Sequence, residues 1–136
     1  MQSDIIALPP GELIRLCAAD NRLYEKTFFP KASRQISPQF HAKIDEALYS
    51  DERFVSIKVF RGGAKTTKLR MYASKKIAYG ISHTILITSN SQDHAAKSIE
   101  WLKRNVEFNK KWAELYQLRP GSKWTGTDIE IIHGID

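Results

Sequence analysis

Cysteine is nearly absent: Cys17 is the only one in 136 residues. A lone thiol cannot close an internal disulfide and has no companions for a thiolate metal site, so Cys17 reads as a small core residue on a helix. Long apolar runs are also missing. No stretch approaches the roughly 18 consecutive apolar residues a membrane span requires, and 26% of the chain is charged, which excludes a membrane-embedded protein. The first eight residues carry Asp4 and no basic lead into an apolar core, so they do not read as a secretory signal. A cytosolic protein follows. Glycine (7) and proline (5) are too few for a low-complexity tract, and no internal repeat is visible. His83, His94 and His133 are scattered and lack matched carboxylates, which argues against a metal site.

What the chain does have is enough apolar sequence for one domain, at 42% hydrophobic, and too little length for two. The net charge is +6 and the pI about 9.5, a balance that suits a polyanionic partner such as nucleotide phosphates or a nucleic-acid backbone. The basic residues are spread out, with one local excess at Lys65, Lys68, Arg70, Lys75 and Lys76. That excess fits a solvated helix face as well as it fits a binding surface.

Periodicity predicts helices first. Pro9-Pro10 opens one through Cys17, a second runs from Asn21 to Phe29 and stops at Pro30, and Lys31 to Ile36 is a loop. Ser37-Pro38 caps a third, with Phe40, Ile44, Ala47 and Leu48 on one face. Three strands are then expected. Phe54 to Phe60 alternates with Val55, Ile57 and Val59 on one face; Thr84 to Thr88 is nearly all apolar; Asp128 to Ile132 is the last, before a turn at His133-Gly134. Helices from Lys65 to a glycine cap at Gly80, and from a Ser91 cap to about Tyr116, would connect them, with Pro120-Gly121-Ser122 as a break. Strand, helix, strand, helix, strand implies a parallel α/β sheet with right-handed crossovers, preceded by a helical segment over 1–50.

Between the first strand and its helix lies Val59-Phe60-Arg61-Gly62-Gly63-Ala64-Lys65-Thr66-Thr67. A polyphosphate needs converging backbone N–H groups, a lysine for its terminal oxygens and a hydroxyl for the accompanying magnesium; Gly62, Gly63, Lys65 and Thr66 supply these in order. The loop departs from GxxxxGK[ST], since Val59 and Ala64 stand where glycine would be. An ordinary strand-to-helix turn with a solvated basic first turn is the alternative.

These residues resemble the amino-terminal ATPase region of the large terminase subunit, the DNA-packaging motor of tailed bacteriophages. The similarity is carried by Phe28-Phe29-Pro30 with Pro38-Gln39-Phe40-His41, by Phe60 to Thr67 as a deviant Walker A, and by Ile85 to Ser91 with Ala95-Ala96. It implies an incomplete P-loop NTPase sheet of about three strands over 54–136, with ATP and Mg2+ as ligands. Arg61 and Lys65 take catalytic roles; Arg61, Gly62, Gly63, Ala64, Lys65, Thr66 and Thr67 line the nucleotide; Thr66 holds magnesium; and His41 stands where the family commonly uses Gln on adenine. Double-stranded DNA, portal and the small terminase subunit are the partners it implies for the complete protein, in the cytoplasm of the bacterial host. No apolar run ends in the paired acids of a Walker B, and the nuclease domain is missing, so the chain is expected to be inactive alone. A superfamily 2 helicase-like ATPase fragment and a non-catalytic basic nucleic-acid-binding module are the competing readings.

Overall fold

Residues 9–33, 38–57, 65–89 and 91–134 are described in the computed structural model of this chain. Helices dominate. Pro10 occupies the first helical position of α1 (Pro10–Ala19), whose inward residues Leu13 and Cys17 lie four apart. Asp20 then separates α1 from α2 (Asn21–Phe28): its carboxylate accepts from the N–H groups of Arg22 and Leu23, both at 3.1 Å, as an N-cap should. Pro30 ends that helix and opens the single turn α3 (Pro30–Ser33), where part of a loop was expected. The rest of that loop and the Ser37 cap lie outside the described residues. Helix α4 (Pro38–Leu48) buries Ile44 as its spacing predicts.

Helix α5 (Lys65–Ala78) ends as expected at Gly80, which has φ +63°. The Ile81 N–H reaches back to the Lys76 carbonyl at 3.0 Å and the Gly80 N–H to Ile77 at 3.1 Å. A side chain at Gly80 would meet the His133 ring at 2.6 Å, so both its backbone and the space require glycine.

The expected long helix to Tyr116 is two helices. Ser91 caps α6 (Gln92–Phe108) by accepting from His94 N–H at 3.2 Å, and Ser98, Leu102 and Val106 face inward. Asn109 ends it and caps α7 (Lys110–Leu115), while its amide donates to the Phe28 carbonyl at 2.7 Å. An asparagine that can satisfy backbone groups on both sides breaks a helix that periodicity alone would run through.

The parallel sheet is absent among the described residues. The only strands there are β1 (Arg119–Trp124) and β2 (Ile129–Ile132), paired antiparallel with Arg119 opposite Ile132 and Trp124 opposite Ile129. Four residues connect them. A parallel crossover needs a dozen or more, so this connection can make only a hairpin. Its turn is held by Thr125, whose hydroxyl donates to the Asp128 carbonyl at 2.9 Å and accepts from the Asp128 N–H at 3.0 Å. Pro120 and Gly121, expected to break the pattern, sit inside β1 beside an irregularity in its register. Proline is tolerated there because the strand lies at an edge, and a Cβ on Gly121 would come within 2.7 Å of Glu130 Cβ. Residues 54–57 and 84–89 form neither helix nor strand. Phe54 and Leu86 are each 85% exposed, so neither segment is covered on both faces. Residues 58–60 of the first expected strand lie outside the described residues.

The core lies between α1, α2, α5, α6 and α7 and is strongly aromatic. Trp112, Tyr24 and Tyr116 are essentially fully buried, packed with Phe28, Phe29, Met71 and Cys17. Their polar ends are satisfied in sequence: Trp112 Nε1 donates to Tyr24 Oη at 2.9 Å, and Tyr24 is 2.9 Å from Ser74 Oγ, whose own proton goes to the Met71 carbonyl at 2.6 Å. Tyr24 is therefore the donor to Ser74. Tyr79 donates to the Ile14 carbonyl at 2.6 Å, which leaves Tyr116 as donor in the 2.7 Å Tyr79–Tyr116 contact.

Candidate functional site

Helix α5 begins at Lys65, the residue at which the phosphate-loop pattern hands over to a helix. The first N–H groups at a helix start have no intrahelical acceptor, and the helix dipole adds partial positive charge. Thr66 is exposed and Thr67 half-buried in this turn. Arg61, Gly62, Gly63 and Ala64 lie outside the described residues. His41 belongs to α4, a different element from the loop helix.

Beneath the first turn the structure holds a cluster that the sequence did not reveal. Lys68 Nζ lies 2.5 and 2.9 Å from the two Glu25 carboxylate oxygens on α2, and 2.7 Å from Asp45 Oδ1 on α4. The lysine side chain is 2% exposed and that of Asp45 20%. About two turns further along, Lys75 is also inside. Its ammonium donates to the Ala18 carbonyl at 3.1 Å and to Asn21 Oδ1, and it lies 5.2 to 5.9 Å from the rings of Tyr49, Tyr24 and Tyr79. Burial lowers the Lys75 pKa from its ordinary value. Arg70 donates to Ser98 Oγ at 3.1 Å, and Lys76 stands over Tyr72 at 5.3 Å.

The local basic excess is thus largely structural. Two of its five members are buried, Lys68 against carboxylates and Lys75 against neutral acceptors, while Arg70 and Lys76 are half-buried and engaged with neighbouring side chains. The signal was present in the spacing: residues 68, 71, 75 and 78 fall on one helix face, and Met71 and Ala78 mark that face as the inner one.

Two carboxylates of the last strand region lie at the other end of the loop helix. Asp128 and Glu130 line a groove of about 290 Å³ with Ile77, Gly80, Ile85 and Ile131, at the carboxyl end of α5. Lys65 and Ile77 are separated by about 18 Å along the helix axis, at 1.5 Å per residue. No group of three or more His, Cys, Asp or Glu side chains suited to a metal occurs among the described residues. No described helix is long and apolar enough to cross a membrane. Set beside known proteins, the chain matches no family model, and no curated protein or solved structure matches it at a significant level.

Proposed function

We propose that residues 59–67 form a polyphosphate-binding loop for MgATP, and that the chain is the nucleotide-binding amino-terminal part of a terminase large subunit, the motor that drives phage DNA into capsids. The observation that carries this reading is the start of a 14-residue helix at Lys65. A phosphate loop works only where it opens a helix, because the glycines then lead into N–H groups with no other acceptor. The donor set fits the ligand in part. Backbone N–H groups and Lys65 suit the phosphates, and Thr66 offers an exposed hydroxyl as one magnesium ligand. When bound, magnesium would neutralise charge on the β- and γ-phosphates.

The protein's own contribution to hydrolysis would be orientation and charge. Lys65, a compact ammonium, stabilises the terminal phosphate oxygens, and Arg61 acts in cis on charge that develops as water attacks the γ-phosphate in line. DNA, the portal and the small terminase subunit are partners of the complete motor in this reading. The reading rests on the loop and its helix and uses no sheet.

The test is equilibrium binding of MgATP to the purified chain and to Lys65→Ala. Affinity should fall at least tenfold in the variant while the unfolding free energy stays within about 0.5 kcal/mol of the parent. Lys65→Arg should fail in the same way, since a planar guanidinium does not replace a point charge in a closed loop. Equal affinity in all three proteins would remove the loop from consideration.

A further inference from the structure

The free edge of the hairpin borders a groove. Strand β2 pairs with β1 on one side only, and Pro120 stands directly opposite Ile131. Proline has no N–H to donate, so this pair cannot be one that exchanges hydrogen bonds, and the N–H and C=O of Ile131 point away from β1. The same holds for Ile129, opposite Trp124, because the bond beside that pair runs from the Thr125 N–H to the Asp128 carbonyl at 3.0 Å. Two N–H and two C=O groups therefore lie along the outer edge. None of them meets a backbone partner among the described residues.

The groove of about 290 Å³ runs beside that edge. It touches every residue from Thr127 to Ile131, whereas a space over one face of a strand would touch alternate residues. Ile77 and Leu102 add apolar lining from α5 and α6, and so do Ile85 and Ile87, which are half-buried between the exposed Thr84, Leu86 and Thr88. We propose that this edge is a docking site for an extended peptide segment of a partner protein, added beside β2 as a further strand, with branched apolar side chains at alternate positions and basic ones between them. Unpaired backbone groups select a backbone, because another extended chain presents donors and acceptors at the matching spacing. The apolar lining calls for apolar side chains on one face of that strand. Asp128 and Glu130, both exposed along the same edge, call for lysine or arginine between them. Lys123 lies 3.5 Å from Asp128, but both are more than 60% exposed and such a pair is weak. The site uses no residue of the loop at 59–67, so it stands or falls apart from the MgATP reading.

The test uses the purified chain and a capped hexapeptide that alternates lysine and isoleucine. On peptide addition, amide exchange followed by NMR should slow at least tenfold at Ile129 and Ile131, and much less at Glu130 and Ile132, whose amides already face β1. Methylating the peptide nitrogens at the isoleucines, and separately at the lysines, should weaken binding at least tenfold in one of the two versions, since alternate residues donate to one edge. Glu130→Lys should raise the dissociation constant about fivefold with secondary structure unchanged. No binding at about 1 mM peptide, binding that leaves the two amides unprotected, equal affinity of both methylated peptides, or no effect of Glu130→Lys overturns the proposal. Protection of Ile129 and Ile131 that grows with protein concentration alone makes a second copy of this chain the occupant, and overturns it as well.

Discussion

At the scale of single residues, the chain places ionisable groups where water does not reach, and this has two consequences. Removing the Lys68 ammonium takes away the charge on which Glu25 and Asp45 converge, so Lys68→Met should destabilise the fold by about 3–5 kcal/mol. Chemical denaturation measures this, and a loss below about 1 kcal/mol, the level of an exposed ion pair, would mean that the triad is solvated. The second consequence concerns alkali. Burial raises the phenol pKa of Tyr24 and Tyr116 well above its ordinary value of 10.0, raises Tyr79 to about 12, and raises the Cys17 thiol from 9.0 to about 11. These groups hold protons in the folded state that the unfolded chain releases. Their contribution is intact below about pH 9 and is lost as pH climbs from there, by up to about 1.4 kcal/mol per pH unit for each group titrating in the unfolded state. Lys75 works in the opposite direction, since its lowered pKa makes the unfolded chain bind the extra proton. Four acids outweigh one base, so the urea midpoint should drop steadily between pH 9 and pH 11, and Tyr116→Phe should flatten that slope. A midpoint that rises over this range would contradict the burial of these side chains.

At the scale of elements, Asn109 decides the layout of the carboxyl half. Its side chain accepts from the Trp112 N–H at 3.4 Å, donates to Phe28 O at 2.7 Å and lies 3.1 Å from Asn105 Oδ1, joining α2 to the α6–α7 junction. Asn109→Ala removes a cap and leaves a partly buried carbonyl without that donor, for a loss of about 1–3 kcal/mol in thermal or urea unfolding. A neutral result would show that the junction is set by packing of Trp112 alone. The same residue explains why a single helix from Gln92 to Tyr116 was the natural reading: Ile99, Leu102 and Val106 continue smoothly into Trp112 and Leu115, and no proline or glycine marks the join. Only the Phe28 carbonyl, 81 positions away in sequence, reveals the break. The first two expected strands misled for a related reason. Residues 54–60 and 84–88 have strand-like composition, but β structure depends on a neighbouring backbone, which no local pattern supplies.

For the molecule as a whole, apolar surface is unevenly covered. The aromatic core between the helices is closed, whereas Phe54, Leu86 and Phe108 stand 75–85% exposed. No backbone hydrogen bond joins residues 84–88 to another described residue. Amide exchange should therefore be fast across 84–88 and slow in the middle of α5 and α6, with the β hairpin between them. Protection of 84–88 equal to that of α6 would mean that these amides have found partners. Leu86→Lys should raise solubility with almost no change in unfolding midpoint, because the side chain it replaces contributes little burial.

The sequence by itself determined what is local. Helix starts at Pro10 and Pro38, the Ser91 cap and the Gly80 stop all follow from residues a few positions apart, and each is where the residues put it. The beginning of α5 at Lys65 was legible in the same way, from a glycine pair leading into a run without breakers. Tertiary structure decided what depends on distant partners: that α6 ends at Asn109, that the last strand forms a hairpin with β1, and that Lys68 and Lys75 turn inward to Glu25, Asp45 and Asn21. The physical reason is the same in each case. A cap or a turn is satisfied by its own neighbours in the chain, whereas the cost of a buried charge or of an unsatisfied carbonyl at a helix junction is set by residues tens of positions away, and composition does not record which of them arrives.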